Sequence, residues 1–204
     1  MNKILPLFAL AATGLSAMAQ SELPAFTAKD KLEAATYYHI RFKNGGVELV
    51  DKGANAKVST AYGRKNDAQL FAFIGTKDNF VLRSKNGNYL AYLNNRMTSV
   101  KEVAKAEALS ILNSPNFGKG YYVIARKSDS GNSFNPYGGT GVGKDIGFWQ
   151  NNDVNNSLYF PLPDDVPTPT YSAYRDEFTK NEYAFTANNS FNPERPLTLW
   201  YVKP

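Results

Sequence analysis

The chain has 204 residues, with 23 Lys+Arg against 18 Asp+Glu, one His, no Cys, 43% hydrophobic and 14% aromatic residues. That is the length of one ordinary domain with extensions, and it is apolar enough for a core, which excludes wholesale disorder. Without cysteine there is no disulfide framework, thiolate nucleophile, Fe–S cluster or Cys-ligated zinc, and a single His excludes a multi-histidine metal centre.

Met1-Asn2-Lys3 is a short positive start. Ile4 to Ala17 is apolar apart from Thr13 and Ser16, and Ala17-Met18-Ala19 gives an A-x-A cleavage pattern before Gln20. This order is that of a secretory signal peptide over residues 1–19, and the apolar stretch is too short to span a bilayer. The expected mature chain starts at Gln20 and is exported, periplasmic or secreted, with no membrane span. No Cys stands at the cleavage point to carry a lipid. Losing Lys3 leaves 22 basic against 18 acidic residues spread along the chain, a balance that does not point to nucleic acid.

After a lead-in over residues 20–35 the sequence repeats. Tyr38-His39-Ile40-Arg41-Phe42-Lys43-Asn44-Gly45 recurs as Phe80-Val81-Leu82-Arg83-Ser84-Lys85-Asn86-Gly87, and more loosely as Tyr122-Val123-Ile124-Ala125-Arg126-Lys127-Ser128-Asp129. The leading aromatics stand 42 residues apart both times. Alternation predicts a strand in each copy: Tyr38, Ile40 and Phe42 point one way, and Tyr37, His39, Arg41 and Lys43 the other, toward solvent or the repeat boundary. Asn-Gly then supplies the positive φ of a tight hairpin.

Each unit has a second apolar run: Gln69 to Ile74, Ala108 to Leu112, and Ser157 to Phe160. Shorter apolar pieces lie between, at Val47 to Val50, Tyr89 to Tyr92 and Phe148-Trp149. Lys101 to Leu112 is rich in Ala, Glu and Lys and has the propensity for a helical turn. Three units of about 42 residues with about four strands each predict an all-β body over residues 36–163, closed on itself.

The three-unit plan, with Gln69-Leu70-Phe71 in the place of a Gln-x-Trp signature, resembles a ricin-type β-trefoil. Tyr38 to Gly46, and Asn135-Pro136-Tyr137-Gly138-Gly139-Thr140-Gly141-Val142-Gly143 leading to Ile146-Gly147-Phe148-Trp149, are similar to trefoil modules of secreted bacterial glycoside hydrolases. The second unit reads Ala108-Leu109-Ser110 at the signature.

The resemblance implies carbohydrate binding, and the residues carry the kit for it. A sugar's C–H face packs on an aromatic ring while carboxylates and amides bond its hydroxyls. In the first unit Asp51, Tyr62, Asn66 and Gln69 stand in the family's order. The third unit offers Asn135, Tyr137, Trp149, Asp153 and Asn156. In these roles Asp51 and Asp153 accept from hydroxyls, Tyr62 and Trp149 stack, and Asn66, Asn135 and Asn156 orient the ring. The second unit has Tyr92, Asn94 and Asn95 without a matching carboxylate.

Other chemistry is weakly supported. Gly138 to Lys144 contains G-x-x-x-x-G-K, but Asp145 stands where a phosphate loop needs Ser or Thr, so a glycine-rich hairpin is the better reading. His39 has no Ser-centred elbow to serve. Asp164-Asp165 and Asp176-Glu177 lie in linker-like sequence rather than across a cleft. Asn151 to Asn156 lacks the Gly and closing Glu of an EF-hand loop. No cofactor and no metal are expected.

Residues 164–204 form a Pro-rich connector followed by an expected strand at Leu197 to Val202, which must dock on the body or belong to something larger. Leu197-Thr198-Leu199-Trp200-Tyr201-Val202-Lys203-Pro204 resembles the start of α-L-fucosidase-type catalytic domains of glycoside hydrolase family ninety-five. The sequence therefore predicts an exported, non-catalytic carbohydrate-binding module whose partners are a glycan and a glycosidase catalytic domain. The alternatives are a spacer packed against a glycosidase that binds nothing and, on the Arg64-Lys65 loop, a trefoil protease inhibitor.

Overall fold

A computed structural model describes residues 22–64 and 66–163, together with the main chain of Tyr183–Ala184 and Trp200–Tyr201. The signal-peptide and cleavage-site expectations, and most of the 164–204 extension, lie outside the described residues.

Thirteen short strands make one continuous sheet. They are β1 (Phe26–Thr27), β2 (Arg41–Phe42), β3 (Val47–Val50), β4 (Ser59–Tyr62), β5 (Phe71–Thr76), β6 (Asn79–Ser84), β7 (Tyr89–Leu93), β8 (Arg96–Val100), β9 (Leu109–Asn113), β10 (Tyr122–Arg126), β11 (Asp129–Pro136), β12 (Ile146–Gln150) and β13 (Leu158–Tyr159). Six of them, β2, β5, β6, β9, β10 and β13, follow one another around a ring. Tyr38, just upstream of β2, closes the ring by exchanging two 2.9 Å main-chain hydrogen bonds with Phe71 of β5. Six of the other seven pair as the hairpins β3–β4, β7–β8 and β11–β12, one from each unit, and β1 lies beside β5.

The 42-residue spacing has a direct structural meaning. Tyr38 bridges Phe71, Phe80 pairs with Leu109, and Tyr122 pairs with Leu158. In each unit the leading aromatic therefore meets the first residue of that unit's last strand. Three copies of one contact, made between residues distant in sequence, close the barrel.

The residues that point inward do so as alternation requires. Ile40, Phe42, Phe73, Leu82, Ile111 and Ile124 are fully buried, and each contributes about 1.5–3 kcal/mol relative to exposure. Phe73 is an aromatic hub, with the rings of Phe80 and Phe160 both at 5.2 Å and that of Phe26 at 5.9 Å. Phe26 reaches it because β1 lies parallel to β5.

One expectation needs correction. His39 does not face solvent: its side chain is fully buried beside that of Glu48, because the hairpin folds over the outer face of β2. The helical turn expected within Lys101 to Leu112 is a 3-10 turn at Val103–Lys105, and the chain enters β9 four residues later. The fully buried Leu109 and Ile111 of β9 override the local propensity there. In the extension, β14 (Tyr183–Ala184) pairs antiparallel with β15 (Trp200–Tyr201) as a separate two-stranded sheet. The terminal strand thus finds its partner within the extension. No helix among the described residues is long and apolar enough to cross a membrane.

Candidate functional site

The site is built from a feature that two of the three units share. After its outer hairpin strand, each unit enters a 3-10 turn before its last strand: Asp67–Gln69, Val103–Lys105 and Val154–Asn156. In the first unit the Asn66 side chain caps that turn, accepting from the Ala68 N–H at 2.9 Å. In the third, Asp153 accepts from the Asn155 N–H at 2.8 Å. Short polar side chains suit this position because a carbonyl or carboxylate oxygen satisfies an otherwise orphaned N–H.

The last residue of each of these two turns is a buried amide that reaches back to the hairpin. Gln69 Nε2 donates to the Tyr62 carbonyl at 2.8 Å, and Gln69 Oε1 accepts from the Arg64 N–H at 3.0 Å. Asn156 Nδ2 lies 3.1 Å from the Trp149 carbonyl, 2.9 Å from that of Gln150 and 2.9 Å from Ser133 Oγ. The aromatic residue gripped in this way is exposed, Tyr62 at 61% and Trp149 at 58%. Tyr62, Asn66 and Gln69 thus repeat the spacing of Trp149, Asp153 and Asn156, four residues and then three. The result is a large ring held outward by a fixed main chain, with a polar capping residue one turn away.

The third-unit face has more to offer a ligand. Asn135 lies on β11 opposite Gly147, and its Nδ2 donates to Asn156 Oδ1 at 2.6 Å. Neither Asn135 Oδ1 nor Asp153 Oδ2 has a hydrogen-bond partner among the described residues. Two acceptors and an indole face therefore sit on the same side of the β11–β12 hairpin and its following turn. Ser133, which seats Asn156 from below, was not legible in the sequence, since an isolated Ser in a polar strand gives no signal.

Three predicted site residues play other parts. Asp51 is 3% exposed, and its carboxylate accepts from Ser84 Oγ at 2.6 Å, Ser99 Oγ at 2.6 Å, Asn88 Nδ2 at 2.7 Å and the Gly53 N–H at 2.9 Å. With both oxygens occupied it ties the first unit to the second and has none left for a hydroxyl. Burial on its own pushes this carboxyl up, but the four hydrogen bonds outweigh it and hold the group below its ordinary value. Gln69 and Asn156 are likewise buried, so they position the aromatic residues rather than touch a ligand.

Tyr137 is exposed, but it stands just past the end of β11, four residues and about 13 Å of extended chain from the partner of Trp149. It belongs to the junction of the three hairpins. The Arg96 guanidinium lies 3.7 Å from its ring centroid and 3.8 Å from Asp145, which also binds Lys57 at 3.0 Å. One sugar ring cannot use both Tyr137 and Trp149. The glycine-rich 137–145 loop is a hairpin connection leading into β12, and two of its donors are spent on the first unit: the Gly143 N–H bonds the Thr60 carbonyl at 2.8 Å and the Lys144 N–H bonds Thr60 Oγ1 at 2.9 Å. It has no phosphate-loop geometry. Lys65 of the suggested inhibitory loop lies outside the described residues.

No protein-family model matches the chain, and no curated protein matches it in sequence. Solved structures do match. A ricin B-like lectin from Macrolepiota procera, solved in complex with lactose, aligns over 63% of this chain and 96% of its own, at TM-score 0.55 and 16% identity. ThreeFoil, a designed 3-fold symmetric protein, aligns over 61% of this chain and 97% of its own, at TM-score 0.51 and 16% identity. A GlcNAcα1-4Gal-releasing endo-β-galactosidase from Clostridium perfringens aligns over 62% of this chain but 32% of the enzyme, at TM-score 0.51 and 16% identity. With the six-stranded ring and three capping hairpins, this likeness defines the fold: the described body is a β-trefoil.

Proposed function

We propose that the protein is a lectin-like carbohydrate-binding module that performs no chemistry of its own. The observation that carries this reading is the repeated constellation of exposed aromatic, capping polar residue and buried positioning amide at Tyr62–Asn66–Gln69 and Trp149–Asp153–Asn156. The ring stacks on the C–H face of a sugar, Asn135 Oδ1 and Asp153 Oδ2 accept from its hydroxyls, and the buried amide keeps the platform in place. The second unit has neither exposed aromatic nor side-chain cap at the corresponding turn and is left out of binding. The lactose complex of the Macrolepiota procera lectin supports a galactoside as the first ligand to try.

The protein acts outside the cytoplasm in this reading, after removal of residues 1–19, and serves as an accessory to glycoside hydrolysis. The trefoil share of the Clostridium perfringens enzyme and the fucosidase-like residues Leu197 to Pro204 support that setting. The same share favours a second reading, a spacer that packs on a catalytic domain and binds no sugar.

A glycan array followed by titration with lactose and its components separates the two. Binding by the folded chain that is weakened in Trp149→Ala and lost when Tyr62→Ala is added supports the module. A folded chain that binds no glycan overturns it in favour of the spacer.

A further inference from the structure

The two links that join one unit to the next are built differently. Between β5 and β6 the link is a tight turn at residues 77–78, whereas between β9 and β10 it is the 114–121 loop, Ser-Pro-Asn-Phe-Gly-Lys-Gly-Tyr. That loop is anchored at its base: the Ser114 N–H bonds the Tyr121 carbonyl at 3.0 Å, and Ser114 Oγ lies 2.7 Å from Ser157 Oγ. Its outer part, with Asn113 and Tyr122, surrounds a hollow of about 300 Å³ lined by Phe117, Gly118, Lys119, Gly120 and Tyr121. It opens at the start of β10, whereas the cap hairpin leaves from the other end of that strand.

Two lining rings and the side chains packed beside them give the hollow its chemistry. Phe117 and Tyr121 have ring centroids 5.6 Å apart at 54°, and Tyr159 extends the row with its ring 6.0 Å from that of Tyr121. Lys119 belongs to the lining, and Lys43, just outside it, reaches the same rings, its Nζ 5.9 Å from the Phe117 centroid and 5.5 Å from that of Tyr121. None of the ion pairs among the described residues includes Lys43, and no carboxylate lines the hollow.

We propose that this hollow is a ligand site for a single sugar ring bearing an anionic group, a uronate or a sulfated monosaccharide, distinct from the Tyr62 and Trp149 faces. The volume lies at the small end of ligand sites and suits one ring. The two aromatic faces are tilted and too close together to sandwich a flat ring, but they give an apolar floor for C–H groups. The Lys43 ammonium, paired with no carboxylate, supplies the partner for the ligand's charge.

The test uses the full chain carrying Tyr62→Ala and Trp149→Ala, so its outcome is read independently of the lectin-like faces. Calorimetric titration is made with glucuronic acid, galactose 6-sulfate, galactose and benzoate. Both acidic sugars bind, galactose at least about tenfold more weakly, and raising NaCl from about 20 mM to about 500 mM weakens the acids several-fold. Lys43→Gln reduces acid binding about tenfold. Gly118→Glu reduces it equally without disturbing the fold, because a Cβ at Gly118 meets nothing within 4 Å. Absence of binding by either acid, equal binding of galactose, benzoate binding as tight as that of the acids, or indifference to both substitutions overturns the assignment.

Discussion

His39 Nδ1 lies 2.7 Å from Glu48 Oε2 with both side chains fully buried between the barrel and the first-unit hairpin. Arg41 Nη1 stands 3.7 Å from the other Glu48 oxygen, and a Cβ on Gly63 would lie 2.5 Å from that same oxygen. The polar pair is therefore walled in, with His39 Nε2 left without a hydrogen-bond partner. Removing one member strands the other in an apolar site, so Glu48→Ala or His39→Ala lowers unfolding free energy by about 3–5 kcal/mol. The double replacement His39→Phe, Glu48→Leu recovers much of that loss, since only Arg41, which reaches solvent and keeps its bond to the Gly46 carbonyl, then loses a partner. Urea denaturation of the four proteins checks both halves of the prediction.

Asp51 makes stability depend on acid. Its folded pKa is depressed by the Ser84, Ser99, Asn88 and Gly53 donors against the opposing effect of burial. A depressed carboxylate contributes stability that is complete above its unfolded value, about 3.9, and that disappears as pH falls through the folded value. The urea midpoint is thus expected to fall below about pH 4, and Asp51→Asn to flatten that fall while costing about 2–4 kcal/mol at neutral pH. An unchanged acid slope in Asp51→Asn contradicts this account.

The same two residues show where the sequence was legible and where it was not. Tyr38, Phe80 and Tyr122 announced the threefold plan because a structural contact recurs at each of them, and contacts that recur leave a period in the chain. Gln69 was expected at a ligand, whereas it is buried and holds the Tyr62 carbonyl, because an amide beside a turn reads the same in either role. His39 was misplaced because strand alternation assumes one dry face, whereas β2 is covered on both. Asp51 was misassigned because its partners, Ser84, Asn88 and Ser99, come from the next unit, 33 to 48 residues away. No local pattern distinguishes a carboxylate that meets water from one that meets another unit.

Trp149 is a built-in reporter. At 58% exposure its indole is expected to emit at long wavelength and to be open to acrylamide. A sugar ring stacked on it shifts emission to the blue and protects it from quencher, and Trp149→Phe abolishes the response although Trp200 remains. Asn156→Ala leaves the indole present but frees its main chain. The blue shift then persists while affinity falls about tenfold, the cost of ordering a platform that had been held in advance. Fluorescence titration with lactose reads both variants.

Two faces of one construction predict two sites per chain. Tyr62→Ala and Trp149→Ala each remove one aromatic platform from a separate unit, so each lowers the calorimetric stoichiometry from about two to about one, and together they abolish neutral-sugar binding. The third-unit face is the tighter, because Asn135 and Asp153 both present a free acceptor oxygen there, whereas Asn66 stands without a second acceptor on its hairpin. Trp149→Ala is therefore the more damaging for monovalent sugar. On an immobilised polysaccharide the two faces act together, and either single substitution weakens retention by about 100-fold, more than the loss of one independent site would give. Stoichiometry that stays near two in Trp149→Ala, or retention that falls by only half, shows that the two faces do not work as a pair.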